Sequence, residues 1–454
     1  MIIEKIKKIV DKDNILTEFE ELTVYSKDAT HFIGEVKTPL AVVFPKSVEE
    51  VSLILKICNE QKIPVITRGA GTNMCACCVD LDGSIILNLS KMNKINMPDM
   101  NNFTISVQAG AIVGDIQKMA DSFGLFYPPD PSSCMVATLG GTIATSAGGS
   151  HTLKYGTTKD YVLGLTVVLA DGTILKTGSN LIKDVSGYDL TRLFVGSEGT
   201  LGVVCEAILK LIPKVENKKL SLVYFNSVKE AVNAVNEILK AFITPSVIDF
   251  MDKNTLQTIE SFCPTGLLSD KEGCLLIEID GFDIDYQQNI VEATCKKAGA
   301  TDIISAKTKE EENKIWLARR SAFGACTKLA PNVMSEDIVV PKENFPLMTE
   351  KIQEIAKKYN LKIALLAHAG DGNIHPHFII DMENKEETAR FLNAKDEIFS
   401  AAISLGGTLS GEHGIGLEKK KYLKELLGKE NFELQKKLKH FFDKNGIMNP
   451  GKIF

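Results

Sequence analysis

The sequence predicts an α+β protein with more than one domain, and three observations carry that expectation. Its 454 residues exceed the usual single-domain range of ~50–250 residues. Between residues 40 and 215, short apolar runs alternate with helical segments and are punctuated by glycine. From about residue 218 the texture changes to strand, helix, strand repeated, which reads as a ferredoxin-like sandwich of helices on an antiparallel sheet.

The elements follow in chain order. The opening MIIEKIKKIVDKDNI mixes apolar and charged residues at helical spacing, so a signal or transit peptide is not expected. SVEEVSLILKICNEQ (47–61) is a helix with a Ser N-cap and acidic residues in its first turn. PVITRGAGTN (64–73) is a strand running into a glycine turn, and SIILNLS (84–90) and FTISVQAG (103–110) are strands. AIVGDIQKMADSFG (111–124) is a helix ended by glycine, and VLGLTVVLADGTILKTG (162–178) is a hairpin about Asp-Gly. In the second region KLSLVYF, SVIDFMD and GCLLIEIDG are strands, while SVKEAVNAVNEILKAF and DYQQNIVEATCKKAGA are helices. The last fifty residues are lysine-rich amphipathic helix closing on MNPGKIF. Domains are therefore expected at 1–217 and 218–410, with a C-terminal helical segment at 411–454.

Composition excludes several classes. A formal charge of −6 with no basic cluster disfavours nucleic acid as a partner. No run reaches the ~18 apolar residues of a transmembrane helix. Ten scattered cysteines, apart from CACC (75–78), read as reduced thiols in a cytoplasmic protein. Arginine is scarce, 5 against 47 lysines. Each arginine is thus a candidate for a role that needs its planar fork, Arg68, Arg192, Arg319 and Arg320 among them.

Three glycine-rich loops lie in the first region: RGAGTN (68–73), LGGTIATSAGG (139–149) and GSEGTLG (196–202). Backbone amides without a neighbouring Cβ, interleaved with hydroxyls, suit a pyrophosphate. Neither the Rossmann nor the Walker pattern is present, so a large phosphate-bearing cofactor of another class is expected. Histidine is concentrated as well. Three of seven, His368, His375 and His377, fall within AHAGDGNIHPHF (367–378), and His413 follows a carboxylate in SGEHGIG (410–416). A Gly-Asp-Gly turn between two strand-like flanks lets His368 and His375 point into one site.

RGAGTN, YPPDPSS, LGGTIATSAGGSHTLKYGTTKDYVLGLTVVLADGTI, SGYDLTRLFVGSEGTLGVV, HAGDGNIH, GEHGIG and NPGKI, in this order and spacing, resemble the FAD-dependent D-2-hydroxy acid dehydrogenases. That family includes flavin D-lactate dehydrogenases, the glycolate oxidase flavin subunit and D-2-hydroxyglutarate dehydrogenase, within the vanillyl-alcohol oxidase fold superfamily. The resemblance covers roughly 40–454. It implies a two-part FAD-binding domain of vanillyl-alcohol oxidase type, completed by the extreme C-terminus, and a ferredoxin-like cap domain over the isoalloxazine. The FAD-binding residues it implies are Arg68, Gly69, Ala70, Gly71, Thr72, Asn73, Pro129, Asp130, Thr138, Gly141, Thr142, Thr145, Ser146, Gly148, Glu198, Gly202, Val204 and Asn449. Where relatives carry a small Ser-Gly-Gly, this chain has Met74-Cys75-Ala76-Cys77-Cys78. CACC lacks the spacing of familiar Fe–S sites, which favours structural thiols, although a role for Cys75, Cys77 and Cys78 stays open.

Two imidazoles and a carboxylate form the facial set of a divalent metal with open positions, and Glu412 fits the family's third ligand beside His368 and His375. Fe2+, Zn2+ and Mn2+ all suit these ligands. Oxidising a 2-hydroxy acid needs a base near the hydroxyl and an electrophile that lowers its pKa. His413 is the expected base, and Arg319 aligns with the arginine that grips the substrate carboxylate. Phe323 and Ala325 follow it and favour a small apolar tail, so D-lactate is the expected substrate and pyruvate the product. Glycolate, D-2-hydroxyglutarate and a non-catalytic flavin subunit are the alternatives. An electron-transferring flavoprotein is the expected electron partner.

Overall fold

Apolar residues three and four apart make Val48–Gln61 a helix with one buried stripe, Val51, Ile54, Leu55 and Cys58. The Ser47 hydroxyl caps it by accepting from Glu50 N at 3.2 Å. This helix crosses from the strand Ala41–Val43 to the strand Val65–Arg68, and both pair in parallel with Ile85–Asn88. The computed structural model in which these elements stand describes residues 2–454. The described chain forms two units.

The first unit takes in the chain up to Gly148, Thr157–Lys214 and Glu412–Phe454. Beside the parallel sheet it holds an antiparallel sheet in the order Thr104–Gln108, Val203–Lys210, Val162–Val168, Ile174–Gly178. The last two strands are the hairpin expected about Asp171-Gly172. The C-terminal segment joins the parallel sheet alongside Val65, which donates to Ile447 O at 2.8 Å and accepts from Asn449 N at 2.8 Å. Separate apolar cores fill the two halves. Ile54, Leu87 and Val203 belong to one, and Ile105, Tyr127, Leu165 and Phe194 to the other.

The second unit comprises Gly149–Gly156 and Val215–Gly411. The strap 149–156 thus packs with this unit although it lies, in sequence, among the glycine loops. An eight-stranded sheet forms the unit's centre, and every pairing in it is antiparallel. The strands Ala300–Ser305, Lys218–Phe225, Gly273–Asp280 and Val247–Asp252 lie in that spatial order. With the helices Val228–Lys240 and Ile284–Lys297 this is the ferredoxin-like order 4-1-3-2. The sheet then continues through Lys362–His368 and Asn373–Ile380 to Asn332–Ser335. Among the described residues, no helix is long and apolar enough to cross a membrane.

Candidate active site

Strand register gathers the histidines. Lys362–His368 and Asn373–Ile380 form a hairpin in which His368 faces Asn373 and Leu366 faces His375. On the other side, His368 is directly opposite Asp249. Paired residues share a face of the sheet, as do residues two apart on one strand. Asp249, His368, Asn373, His375 and His377 therefore line a single face. The turn needs glycine at 372, where φ is +85° and a Cβ would lie 2.2 Å from Val340 O. The rings of His368 and His375 meet edge to face with centroids 5.3 Å apart.

Asp249 is the hub of this face, with no solvent exposure. Its Oδ1 lies 2.8 Å from His368 Nδ1, and its Oδ2 accepts from Arg319 Nε at 2.6 Å and from Ser150 Oγ at 2.9 Å. Burial opposes its charge, but Arg319 and His368 outweigh that penalty and hold the carboxyl well below the usual carboxylate range. Arg319 reaches it from the helix Lys309–Cys326, whose start is fixed by a Thr308–Glu311 capping box. Ala318, Ala322 and Ala325 share its buried stripe, and these small side chains let the helix approach the sheet. Arg320 is exposed and lies over Trp316 at 5.8 Å. Phe323, one turn after Arg319, meets His377 edge on with centroids 5.6 Å apart.

A second buried carboxylate, Asp337, organises the approach to Glu412. It accepts from Asn373 Nδ2 at 2.6 Å, from Ser410 Oγ at 2.5 Å and from Gly411 N at 3.0 Å, and lies 3.9 Å from His375 Nδ1. Glu412 is the next residue along the chain, and its Oε1 lies 3.7 Å from His413 Nε2. His368, His375 and Glu412 each offer a ligand atom, all within 4.8 Å of one another. Two imidazoles with a carboxylate are a donor set that fits a divalent cation. With Nδ1 of His368 on Asp249, Nε2 is the atom this ring would offer.

In the first unit the expected flavin residues cluster around two loops in close contact. A Cβ on Gly69 would fall 2.0 Å from Thr138 Oγ1, so only glycine lets 68–73 approach the helix Leu139–Thr145. Gly69, Ala70, Gly71, Thr72 and Asn73 are at least partly exposed, and so are Gly141, Thr145 and Ser146. Among the described residues, buried Thr67 Oγ1 and Asn449 Oδ1 have no hydrogen-bond partner. Open backbone on two touching glycine loops, with unanswered polar atoms nearby, fits a phosphate-bearing cofactor.

Several of the expected residues shape these loops from within. Arg68 Nη1 donates to Lys27 O at 2.5 Å, and its guanidinium lies over the Tyr25 ring. The Asn73 side chain accepts from Cys75 N at 2.8 Å and donates to His413 O at 2.9 Å. Glu198, buried at φ +51°, accepts from Ile415 N at 2.7 Å and Gly416 N at 2.8 Å. Burial raises its pKa against those bonds. Asn449 Nδ2 donates to Glu198 O at 2.8 Å. Thr138 caps the helix Leu139–Thr145 by accepting from Gly141 N at 3.3 Å, and Thr142 donates to Leu139 O at 2.9 Å. Pro129 O accepts from Gln117 at 2.9 Å, with Asp130 following it. Gly148 and Gly202 are buried and Val204 lies in a strand against Val167.

Cys75 and Cys77 are buried. Burial, with the Glu198 carboxylate 3.1 Å from its sulfur, pushes the Cys77 thiol well up, and burial pushes Cys78 up to about 12. Neutral packed thiols match the structural reading of CACC. Sequence reasoning passed over Asp249, Asp337 and Ser150. The signal for Asp249 was available: a charged residue between the apolar pairs Val247-Ile248 and Phe250-Met251 of SVIDFMD, since an acid is almost never fully buried without a partner.

Comparison with known proteins places the chain. Residues 39–178 match an FAD binding domain, and 214–453 match the C-terminal domain of FAD linked oxidases. Glycolate oxidase subunit GlcD of Bacillus subtilis is 46% identical over 433 residues, covering 95% of this chain and 92% of that protein. The D-lactate dehydrogenase of Archaeoglobus fulgidus is 36% identical over 91% of this chain and 90% of its own. Among solved structures, substrate-bound p-cresol methylhydroxylase superposes with a TM-score of 0.85 at 20% identity, over 100% of this chain and 96% of that one, which speaks for the fold. With both family domains matched and a 46% identical relative aligned over 95% of its length, the chain belongs to the FAD-dependent D-2-hydroxy acid dehydrogenases, flavoenzymes of the vanillyl-alcohol oxidase fold.

Proposed function

We propose that this enzyme oxidises a small D-2-hydroxy acid, with D-lactate to pyruvate the best fit, using FAD and a divalent metal held by His368, His375 and Glu412. The observation that carries this reading is the three-ligand group within 4.8 Å, whose His368 shares Asp249 with Arg319. Bound FAD supplies the hydride acceptor and the bound metal, Fe2+, Zn2+ or Mn2+, a Lewis acid that lowers the pKa of the substrate hydroxyl. His413 takes the hydroxyl proton as general base. Arg319 keeps Nε on Asp249 and offers the substrate carboxylate its two terminal nitrogens. Phe323 and His377 give the substrate tail an aromatic neighbour suited to a methyl group.

Glycolate, which lacks that methyl, is the second reading, favoured by the name of the relative that is 46% identical. An electron-transferring flavoprotein is the proposed acceptor, and the cytoplasm the proposed location. A non-catalytic flavin subunit is the weaker alternative, because such a subunit has no need of the ligand set, Arg319 and His413 together. Anaerobic stopped-flow bleaching of the flavin with D-lactate, L-lactate, glycolate and D-2-hydroxyglutarate tests the proposal. Fastest bleaching by D-lactate supports it, and no bleaching by any of the four overturns it. His368→Ala and Glu412→Ala should keep the yellow chromophore while losing metal and several decades of kcat/KM. Loss of flavin together with metal would instead make these loops structural.

A further inference from the structure

We propose that Asp249 is a positioning residue that couples the metal site to the carboxylate-binding arginine. The inference rests on the metal reading above and adds a residue to it. Asp249 has two carboxylate oxygens and serves three donors: His368 Nδ1, Arg319 Nε and Ser150 Oγ. A hydrogen on Nδ1 of neutral histidine leaves the lone pair on Nε2, so the Asp249 contact selects the tautomer able to ligate an ion. The same carboxylate supplies the counter-charge that a guanidinium 4% exposed requires.

Nothing in this arrangement is free to adjust. Asp249 is locked opposite His368 by the antiparallel register. Ser150 belongs to the strap Gly149–Gly156, which is itself held to the sheet by His151 on Glu278 at 3.1 Å and Tyr155 on Asp280 at 2.5 Å. Whatever changes the charge balance at Arg319 therefore changes how strongly Asp249 holds His368. Binding a substrate carboxylate to Arg319 draws the guanidinium's charge outward, strengthens the pull of Asp249 on the imidazole N–H, and makes Nε2 a better ligand. Anchoring the substrate and gripping the metal are then one coupled event.

An asparagine at this position has a single acceptor oxygen for these donors. Either Arg319 Nε loses its partner, or the amide N–H turns toward His368 Nδ1 and forces the proton onto Nε2, where it blocks ligation. The test uses the flavin-loaded enzyme stripped of metal with a chelator, with Co2+ affinity read from its visible absorption and flavin content read separately. Asp249→Asn should keep its flavin and bind Co2+ about 10–100-fold more weakly. Arg319→Gln, which leaves Asp249 unneutralised, should bind Co2+ about fivefold more tightly. Unchanged Co2+ affinity in a folded Asp249→Asn overturns the proposal. Should that variant fail to fold, unchanged affinity in Arg319→Gln overturns it equally. A wild-type enzyme that binds no Co2+ defeats the metal reading first, and this inference with it.

Discussion

His368 and Asp249 are directly opposed on neighbouring antiparallel strands, and their side chains meet at 2.8 Å between Nδ1 and Oδ1. A slip of one residue in either strand would send the two side chains to opposite faces of the sheet. The histidine-lined face is therefore a property of register, and the apolar residues that interleave with the functional ones enforce it. Met251 and Leu366, the adjoining pair on the same face, are buried in the core beside the helices Lys253–Phe262 and Lys309–Cys326.

His413→Gln should retain flavin and metal and still bind oxalate, while flavin reduction by D-lactate slows by ~10²–10⁴-fold, the usual worth of a general base. The limb of the pH profile that reports base deprotonation should vanish with it. Full-speed reduction in stopped flow would move the base role elsewhere, with His377 on the same sheet face the next candidate.

Arg319→Lys keeps a charge and loses the fork. A lone ammonium cannot hold Asp249 and a substrate carboxylate in the same geometry, so KM for D-lactate should rise by about tenfold, equivalent to ~1.4 kcal/mol. Steady-state kinetics decide the point, and an unchanged KM would assign the carboxylate to another cation.

Glu278, which anchors the Gly149–Gly156 strap through His151, offers a stability test. It is buried, and although burial disfavours its charge, His151 and Lys218 outweigh that and lower its carboxyl from 4.5 to about 2. A carboxyl lowered on folding stabilises the fold above its unfolded pKa and loses that contribution as pH falls toward the folded value. Here the contribution is about 3 kcal/mol, present above 4.5 and fading between 4.5 and about 2. Urea unfolding of Glu278→Gln should show a deficit near neutrality that shrinks across this acidic window. A deficit independent of pH would trace it to lost packing alone.

The CACC thiols should be inert while the protein is folded. With Cys77 held well above its ordinary range and Cys78 at about 12, neither supplies thiolate at mildly alkaline pH. Iodoacetamide labelling followed by mass spectrometry should leave both unmodified in the native enzyme and alkylate both after denaturation. Rapid native labelling of either would reopen a chemical role for the segment.

Much of this molecule is legible along the chain because local chemistry dictates it. The helix start at Ser47, the Asp171-Gly172 hairpin and the Gly-Asp-Gly turn between His368 and His375 each depend on residues a few positions apart. So does the open backbone of the glycine loops 68–73 and 139–149. The ferredoxin-like half of the second unit is equally readable, since its strands and helices alternate with clean apolar patterns.

Folding settles which distant partner answers each functional group. Asp249 lies 119 residues before His368 and 70 before Arg319, and no spacing rule links them; the strand order Val247–Asp252 beside Lys362–His368 does. Asp337, 74 residues before Gly411, holds the turn that leads to Glu412 in the same way. Such pairings stay hidden in a linear string because buried charge is stabilised only by partners brought close in space, and those partners are chosen by sheet register and helix packing.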